Sequence, residues 1–214
     1  SETATPRIYP LPLHDALPIY LFGYGSTPPT VKWPGSAQLA LQFVINYEEG
    51  GENSILHGDT GSEAFLSEIV GAESWPGQRH PSMESIYEYG SRVGVWRLLK
   101  LFKQKQLPLT VFAVGMALER NPAVADMALE HGREIFSHGY RWIDYSYVSE
   151  SDEREHIQKT VEIITRLTGE RPLGWYTGRT RENPRRPAVA GGGLPYAADS
   201  YDDHLPYWAS AGAL

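Results

Sequence analysis

The spacing of hydrophobic residues changes along the chain between continuous runs and helical intervals. This change indicates a repeated alternation of strands and helices. Near-continuous apolar runs, typical of strands buried on both faces, occur at residues 38–47, 107–115, 133–137 and 173–177, and another begins at 194–196. Apolar residues at helical spacing, or helix-start signals such as Asn-Pro, mark residues 84–106, 121–130 and 149–167. This alternation predicts an α/β fold in which helices cover a parallel sheet.

Acidic residues follow the first predicted strand, in the sequence NYEEGGE. Glu48, Glu49 and Glu52 lie just beyond Tyr47, at the start of a long loop that extends to residue 80. The carboxyl ends of parallel strands are where such sheets place their chemistry, and a carboxylate there can take a proton from water. The sequence predicts a general base among these glutamates and leaves open which of them acts. A solvated acidic loop is the alternative.

A histidine follows the third predicted strand, in the sequence SHGYRW. At a strand end, His138 can transfer protons or polarise a carbonyl, although a purely structural histidine is the alternative. A catalytic zinc needs about three protein ligands. The spacing of the other histidines does not supply such a set, so the residues alone predict no metal site. These histidines include His57, His80, His131 and His156.

Aromatic and cationic residues flank the same motifs. Trp142, Trp175 and Tyr176 either pack in the core or line a pocket for a flat, polar ring. Arg179, which follows the fourth predicted strand, either lies on the surface or holds a carboxylate or imide oxygen with its planar guanidinium. Since the ends of parallel strands share one edge of the sheet, we expect these groups to meet His138 in one site.

Composition narrows the partners of the chain. The formal net charge of −7 argues against nucleic acid as a main partner and leaves a small-molecule substrate. No apolar run approaches the roughly 18–20 residues of a membrane helix, and no signal-peptide pattern opens the sequence, so we expect no membrane partner and a cytoplasmic location. Residues 1–19 contain four prolines, and their apolar residues follow neither helical nor strand spacing. They are expected to be a disordered or foreign segment ahead of a catalytic domain at 20–214.

Six stretches of the chain resemble the polysaccharide deacetylase superfamily, and in particular its purine-catabolic allantoinase branch. They are KWPG (32–35), FVINYEEGGE (43–52), MESIYEYGSRVGVWR (83–97), SHGYRWIDY (137–145), TGERPLGWYTGRT (168–180) and DSYDDHLPYW (199–208). The resemblance implies a deformed (β/α) barrel of the polysaccharide-deacetylase type. It also implies a homo-oligomeric enzyme that opens the hydantoin ring of allantoin to give allantoate.

The resemblance also implies a particular set of site residues. In metal-dependent members, two aspartates follow the first strand and two histidines lie four residues apart. Glu48 and Glu49 fall near the aspartates, His138 at the first histidine and Trp142 at the second, which implies catalysis by Glu48, Glu49 and His138 without a metal cofactor. The substrate-binding residues expected on this basis are Tyr47, Glu52, Trp142, Trp175, Tyr176, Arg179 and Asp199.

The chain departs from the family pattern in its last part. Beyond residue 183 the sequence looks eroded, and it stops before the family's final motifs, so we expect a fragment with an incomplete barrel. Two other functions stay open. One is a metal-dependent deacetylase of N-acetylated carbohydrates, which would need one divalent metal such as zinc. The other is a non-catalytic domain that binds a carbohydrate or small molecule on the same scaffold.

Overall fold

The computed structural model describes residues 24–130, 132, 134–178, 193–201 and 203–207. The segment 1–19 and Arg179 lie outside the described residues. The strands are β1 (Val44–Tyr47), β2 (Gly61–Ser62), β3 (Trp75–Pro76), β4 (Thr110–Ala113), β5 (Glu134–Ser137), β6 (Gly174–Trp175) and β7 (Tyr196–Ala197). The α-helices are α1 (Pro81–Tyr89), α2 (Val95–Lys105), α3 (Gly115–Arg120), α4 (Ala123–Glu130) and α5 (Glu150–Thr168).

The central element is a parallel sheet in the order β1-β4-β5-β6-β7. Helices α1 and α2 connect β1 to β4, α3 and α4 connect β4 to β5, and α5 connects β5 to β6. The predicted α/β class with a parallel sheet is therefore confirmed. Within the described ranges β1 and β7 are the outer strands, and closure of the sheet into a barrel stays a prediction.

The helix predicted at 84–106 is in fact two helices joined by a π-helical turn. Helix α1 starts at Pro81, which suits the first helical position, and the Nδ1 of His80 accepts a hydrogen bond from the backbone N–H of Met83 at 3.4 Å. The turn at Gly90–Gly94 then separates α1 from α2. Such a turn adds a residue to the helix and is frequent near functional sites. Here it brings Gly90 and Ser91 against the end of β1.

Regular structure also occurs where the sequence predicted none. Inside the loop at 48–80, β2 and β3 pair as a short antiparallel ribbon, with Gly61 opposite Pro76. Helix α3 follows β4 directly, and the Asn121-Pro122 signal marks the boundary between α3 and α4. No helix in the described part of the chain is both long and apolar enough to cross a membrane.

One face of the sheet forms the hydrophobic core with the helices. Buried side chains of β4 and β5 pack there against α5, and Trp175 joins a smaller cluster beside the same helix. Since neighbouring residues of a strand point to opposite faces, the adjacent side chains of these strands point the other way. Members of the two clusters include Val111, Ala113, Ile135, Ile163 and Ile164, and Ile157, Val161, Trp175 and Leu194.

The opposite face carries a row of aromatic side chains. The strand register aligns Asn46, Phe112, Phe136, Gly174 and Tyr196 across the five strands. The rings of Phe112 and Phe136 stack at 4.4 Å, and Phe136 contacts Tyr196 at 4.9 Å between ring centroids. Gly174 makes this packing possible, because a Cβ there would overlap the ring of Phe136.

Replacing Gly174 by alanine is therefore expected to destabilise the fold by about 1–3 kcal/mol, the usual cost of overpacking a core. Urea denaturation followed by circular dichroism measures this change. Gly94 is the matched control, because it lies in the π turn with room for a methyl group, and Gly94→Ala should leave stability unchanged or raise it by up to about 1 kcal/mol. Equal stabilities for the two variants would contradict the proposed packing of Gly174.

Candidate active site

A hydrogen-bonded acid–histidine pair lies at the carboxyl edge of the sheet. The Nε2 of His138 is 2.9 Å from Oε1 of Glu48, and the Nδ2 of Asn46 donates to the same oxygen at 3.1 Å. Glu48 follows β1 and His138 follows β5, so the pair spans the end of β4, which lies between them. An ionised Glu48 accepts the Nε2–H hydrogen, which leaves Nδ1 as the acceptor of the neutral imidazole.

The two members of the pair differ in their access to water. His138 is 2% exposed, and its Nδ1 has no hydrogen-bond partner among the described residues. The side chain of Glu48 is 20% exposed. The ring of Tyr176 contacts the imidazole at 4.8 Å. A molecule arriving at this edge would therefore meet the carboxylate of Glu48 and the ring of Tyr176 before it met the imidazole.

The other two glutamates of the motif bond to their own loop. The Oε2 of Glu49 accepts from the backbone N–H of Glu48 at 3.2 Å, and its carboxylate rests against Gly90, where a Cβ would overlap it. Burial raises the pKa of Glu49. Glu52 is 7% exposed and accepts from the backbone N–H of Gly50 at 2.6 Å. The structure thus brings Glu48 to His138 and places Glu49 and Glu52 where they shape the turn.

Tyr47 lies in the core. Its hydroxyl bonds to the hydroxyl of Ser91 at 3.0 Å and accepts from the Nδ2 of Asn121 at 3.3 Å. It points to the opposite side of β1 from Asn46, because successive side chains of a strand alternate. Its contacts join β1 to the π turn and to the end of α3.

The two tryptophans of the predicted site are also packed. Trp142 is 9% exposed and contacts Phe65 and Tyr87 at 5.7 and 6.1 Å between ring centroids. Trp175 lies on the helix-covered face of the sheet, and its Nε1 donates to Oγ1 of Thr177 at 2.6 Å. The structure therefore places Trp175 on the opposite face of its strand from Tyr176 and His138.

Asp199 supports the strand end that carries Tyr176. Its carboxylate accepts from the backbone N–H groups of Thr177 and Gly178, both at 2.9 Å. The hydroxyl of Tyr201 donates to that of Tyr176 at 3.2 Å. These contacts fix the Tyr176 ring beside His138, and Asp199 acts on the site through the backbone.

Two residues of the site region were given no role from the sequence. Asn46 holds the carboxylate of Glu48, and its only sequence signal is a polar residue near the end of an apolar run. Arg141 lies three residues after His138 and bonds to the carbonyls of Gly51 and Glu52 and to Asp59. Its partners lie about ninety residues earlier, so nothing in the local sequence reveals them.

The side chains near the pair do not fit a catalytic metal. Among the described residues no group of three or more His, Cys, Asp or Glu side chains is arranged to hold a metal ion. A catalytic zinc needs about three such ligands. His138 is bonded to Glu48, and the position four residues later is filled by Trp142, which offers no ligand atom.

Comparison with known proteins agrees with this fold. Residues 78–188 match the polysaccharide deacetylase family. One relative is a Schizosaccharomyces pombe protein named "Putative polysaccharide deacetylase". It is 43% identical to this chain, and the match covers 84% of this chain and 58% of the relative's length. The chain thus spans little more than half of this relative.

Two crystal structures share the fold closely. One is of Puue allantoinase, and the other is of a probable polysaccharide deacetylase from Pseudomonas aeruginosa PAO1. Each is 61% identical to this chain with a TM-score of 0.86, and each match covers 90% of this chain and 64% of the other. On these matches and the parallel sheet that carries its site, the chain belongs to the polysaccharide deacetylase family.

Proposed function

We propose that this chain carries the catalytic residues of a hydrolase that opens the hydantoin ring of allantoin to give allantoate. The observation that carries the proposal is the Glu48–His138 pair, held at 2.9 Å at the edge of the sheet where a metal-dependent relative would need a set of ligands. The 61% identity to the crystal structure of Puue allantoinase supports the same reaction.

Glu48 is the general base in this proposal. It is the more exposed member of the pair, so a water molecule can reach its carboxylate. Glu48 takes a proton from that water as the oxygen adds to a ring carbonyl carbon. The carbon–nitrogen bond of the ring then breaks, the leaving nitrogen gains the proton, and the carbonyl carbon becomes a carboxylate as the second proton of the water is released to solvent. One water is consumed, and no oxidant or reductant is needed.

His138 orients Glu48 and supports the charge of its carboxylate. Its Nε2–H donates to that carboxylate, so the proton taken from water stays on Glu48 until it passes to the leaving nitrogen. Stabilisation of the oxyanion supplies much of the rate gain in such reactions. Backbone N–H groups at the strand ends, together with Arg179 as predicted from the sequence, are the proposed donors to the oxygens of the substrate.

Tyr176 offers a face for the planar ring of the substrate. Its ring lies beside His138 and contacts Phe112 at 5.3 Å. Aromatic faces pack well against flat polar rings, and the edges of the polar ring remain available for hydrogen bonds. We propose that the hydantoin ring lies against Tyr176 with one carbonyl directed at Glu48.

A metal-free, cytoplasmic homo-oligomer remains the proposed form of the full-length enzyme.

Hydrolysis of allantoin by the chain after exhaustive chelation tests the proposal. We expect allantoate to form at a rate that chelation leaves unchanged, because the proposed groups are the side chains of Glu48 and His138. Allantoate is measured by its breakdown to glyoxylate. Absence of turnover from both the chain and the full-length protein would reject the function.

Metal-dependent deacetylation is the second candidate, because the family and the Pseudomonas aeruginosa structure carry the deacetylase name. It predicts no turnover after chelation, recovery with added zinc, and release of acetate from N-acetylglucosamine oligomers. The same preparation, assayed with both substrates with and without zinc, separates the two candidates. A domain that only binds would retain ligand without turnover in every condition.

A further inference from the structure

The bond between Glu48 and His138 joins two loops that the sheet does not connect directly. Glu48 follows β1 and His138 follows β5, and β4 lies between these strands. Strands two places apart in a sheet are separated by about 10 Å, and no ladder of hydrogen bonds links them. The sheet holds the two loops only through β4, because the backbone N–H of Val114 donates to the carbonyl of Tyr47 at 2.9 Å and that of His138 donates to the carbonyl of Ala113 at 3.0 Å. Direct contacts between the loops lie beyond the strand ends.

Arg141 supplies the main side-chain contacts between these loops. It lies three residues after His138, and its side chain is 13% exposed. The Nε donates to the carbonyl of Gly51 at 3.1 Å, and Nη2 donates to the carbonyl of Glu52 at 3.0 Å. The backbone N–H of Trp142 donates to the same Gly51 carbonyl at 2.9 Å.

Asp59 completes the arrangement through a two-pronged ion pair. Its Oδ2 is 2.6 Å from Nη2 of Arg141, and its Oδ1 is 3.2 Å from Nη1. The Oδ2 also accepts from the backbone N–H of Ser54 at 2.8 Å. Burial alone would raise the pKa of Asp59, but the hydrogen bonds from Arg141 and Ser54, together with the positive charge nearby, lower it. Such a planar fork fixes direction as well as distance, which a lysine cannot do.

The turn that carries Glu48 leaves little room for adjustment. The backbone N–H of Gly51 donates to the carbonyl of Glu48 at 2.9 Å, so Gly51 and Glu48 close one turn. A Cβ on Gly51 would lie 2.5 Å from Cγ1 of Val114. When Arg141 holds the carbonyl of Gly51, it therefore also holds the backbone from which the side chain of Glu48 extends.

We propose that Arg141 is a positioning residue that ties the turn of Glu48 to the loop of His138 and so sets the hydrogen bond between them. It acts through the backbone of Gly51 and Glu52 and through Asp59. Its role in turnover rests on the proposed function, whereas its role in the geometry of the pair does not. The two can therefore be measured separately.

The test compares Arg141→Ala with Arg120→Ala. Arg120 is the matched control because its Nη1 donates to the carbonyl of Gly50 at 2.8 Å, in the same turn, from an exposed position on α3. The first readout is the ¹⁵N imidazole signal of His138, identified among the seven histidines by its loss in His138→Gln. The second is kcat and KM for allantoin, with and without millimolar guanidinium.

In Arg141→Ala we expect the His138 signals to shift and kcat to fall about 10- to 100-fold, since a displacement of about 1 Å can cost 100-fold. KM should stay within about threefold, and guanidinium should recover kcat at least threefold by occupying the vacated space. Arg120→Ala should leave the His138 signals in place and kcat within about twofold. Asp59→Asn, which keeps Arg141 but removes the charge of its partner, should shift the same signals to a smaller extent.

Unchanged His138 signals in both Arg141→Ala and Asp59→Asn would overturn the proposal. So would a fall in kcat that guanidinium does not recover, because that is the behaviour of a residue needed only for folding. If Arg141→Ala does not fold, Arg141→Lys is measured in the same way, and normal signals there would also overturn it. If even the wild-type chain does not open allantoin, the proposed function fails and the imidazole signals still decide the role of Arg141.

Discussion

Replacing Glu48 by glutamine is expected to lower kcat/KM for allantoin by about 100- to 10,000-fold, the usual contribution of a general base. Glutamine keeps the size of the side chain, and its carbonyl oxygen can still accept the Nε2–H of His138. It cannot take a proton from water, so the loss should appear in kcat while KM changes little. Steady-state rates of allantoate formation measure the effect, and circular dichroism checks the fold.

Glu49→Gln is the natural comparison, because the two acids are adjacent and face different ways. Its amide oxygen can still accept the backbone N–H of Glu48, so turnover should stay within about fivefold of wild type. Burial raises the pKa of the folded Glu49 above its unfolded value, so its contribution to stability is present at low pH and is lost as pH rises through the folded pKa. Glu49→Gln should remove that part of the pH dependence. Equal losses of turnover in both variants would contradict the assignment of Glu48 as the base.

The sequence could not choose between these glutamates, and the reason is physical. A strand with one buried face alternates apolar and polar residues, which reveals the side to which each residue points. A parallel strand covered on both faces reads as a near-continuous apolar run, and residues 38–47 resemble such a run, although Val44 and Asn46 are exposed on one face of β1 in the structure. The run predicted β1 but did not show which of its residues point to which face of the sheet. The sequence alone therefore could not distinguish the direction of Glu48 from that of Glu49.

The same limit explains the other differences between prediction and structure. The alternation of strands and helices, the parallel sheet, and helices α4 and α5 follow from local patterns and were predicted. The order of the strands and helix α3 were not predicted. The π turn at Gly90–Gly94 and the contacts of Arg141 depend on partners far away in sequence. The structure packs Tyr47 and Trp175 in the buried clusters, which the sequence could not show because an aromatic residue at a strand end has no local signal for the face it occupies. Their contact with the substrate stays a prediction.

Trp142→Ala is expected to destabilise the chain by about 3–5 kcal/mol, the range for removing a large buried aromatic side chain. Trp142 is 9% exposed, and its ring lies between Phe65 of the long loop and Tyr87 of α1. These partners are 77 and 55 residues earlier in the sequence, so the indole joins elements that are otherwise distant. Its removal would leave a cavity beneath the loop that follows β1. Chemical denaturation measures the loss.

Trp75→Ala serves as the control, because Trp75 is 42% exposed and stacks on His80 at the surface of the ribbon. Its removal should lower the free energy of unfolding by clearly less, because less buried apolar area is lost. A Trp142→Ala variant with normal stability and a raised KM would instead identify the indole as a wall of the substrate pocket. The packed position of Trp142 favours the first result. The resemblance places Trp142 at the second histidine of the metal-dependent members. If Trp142→Ala is destabilised as expected, the residue at this position in the present chain holds the loop of Glu48 in place.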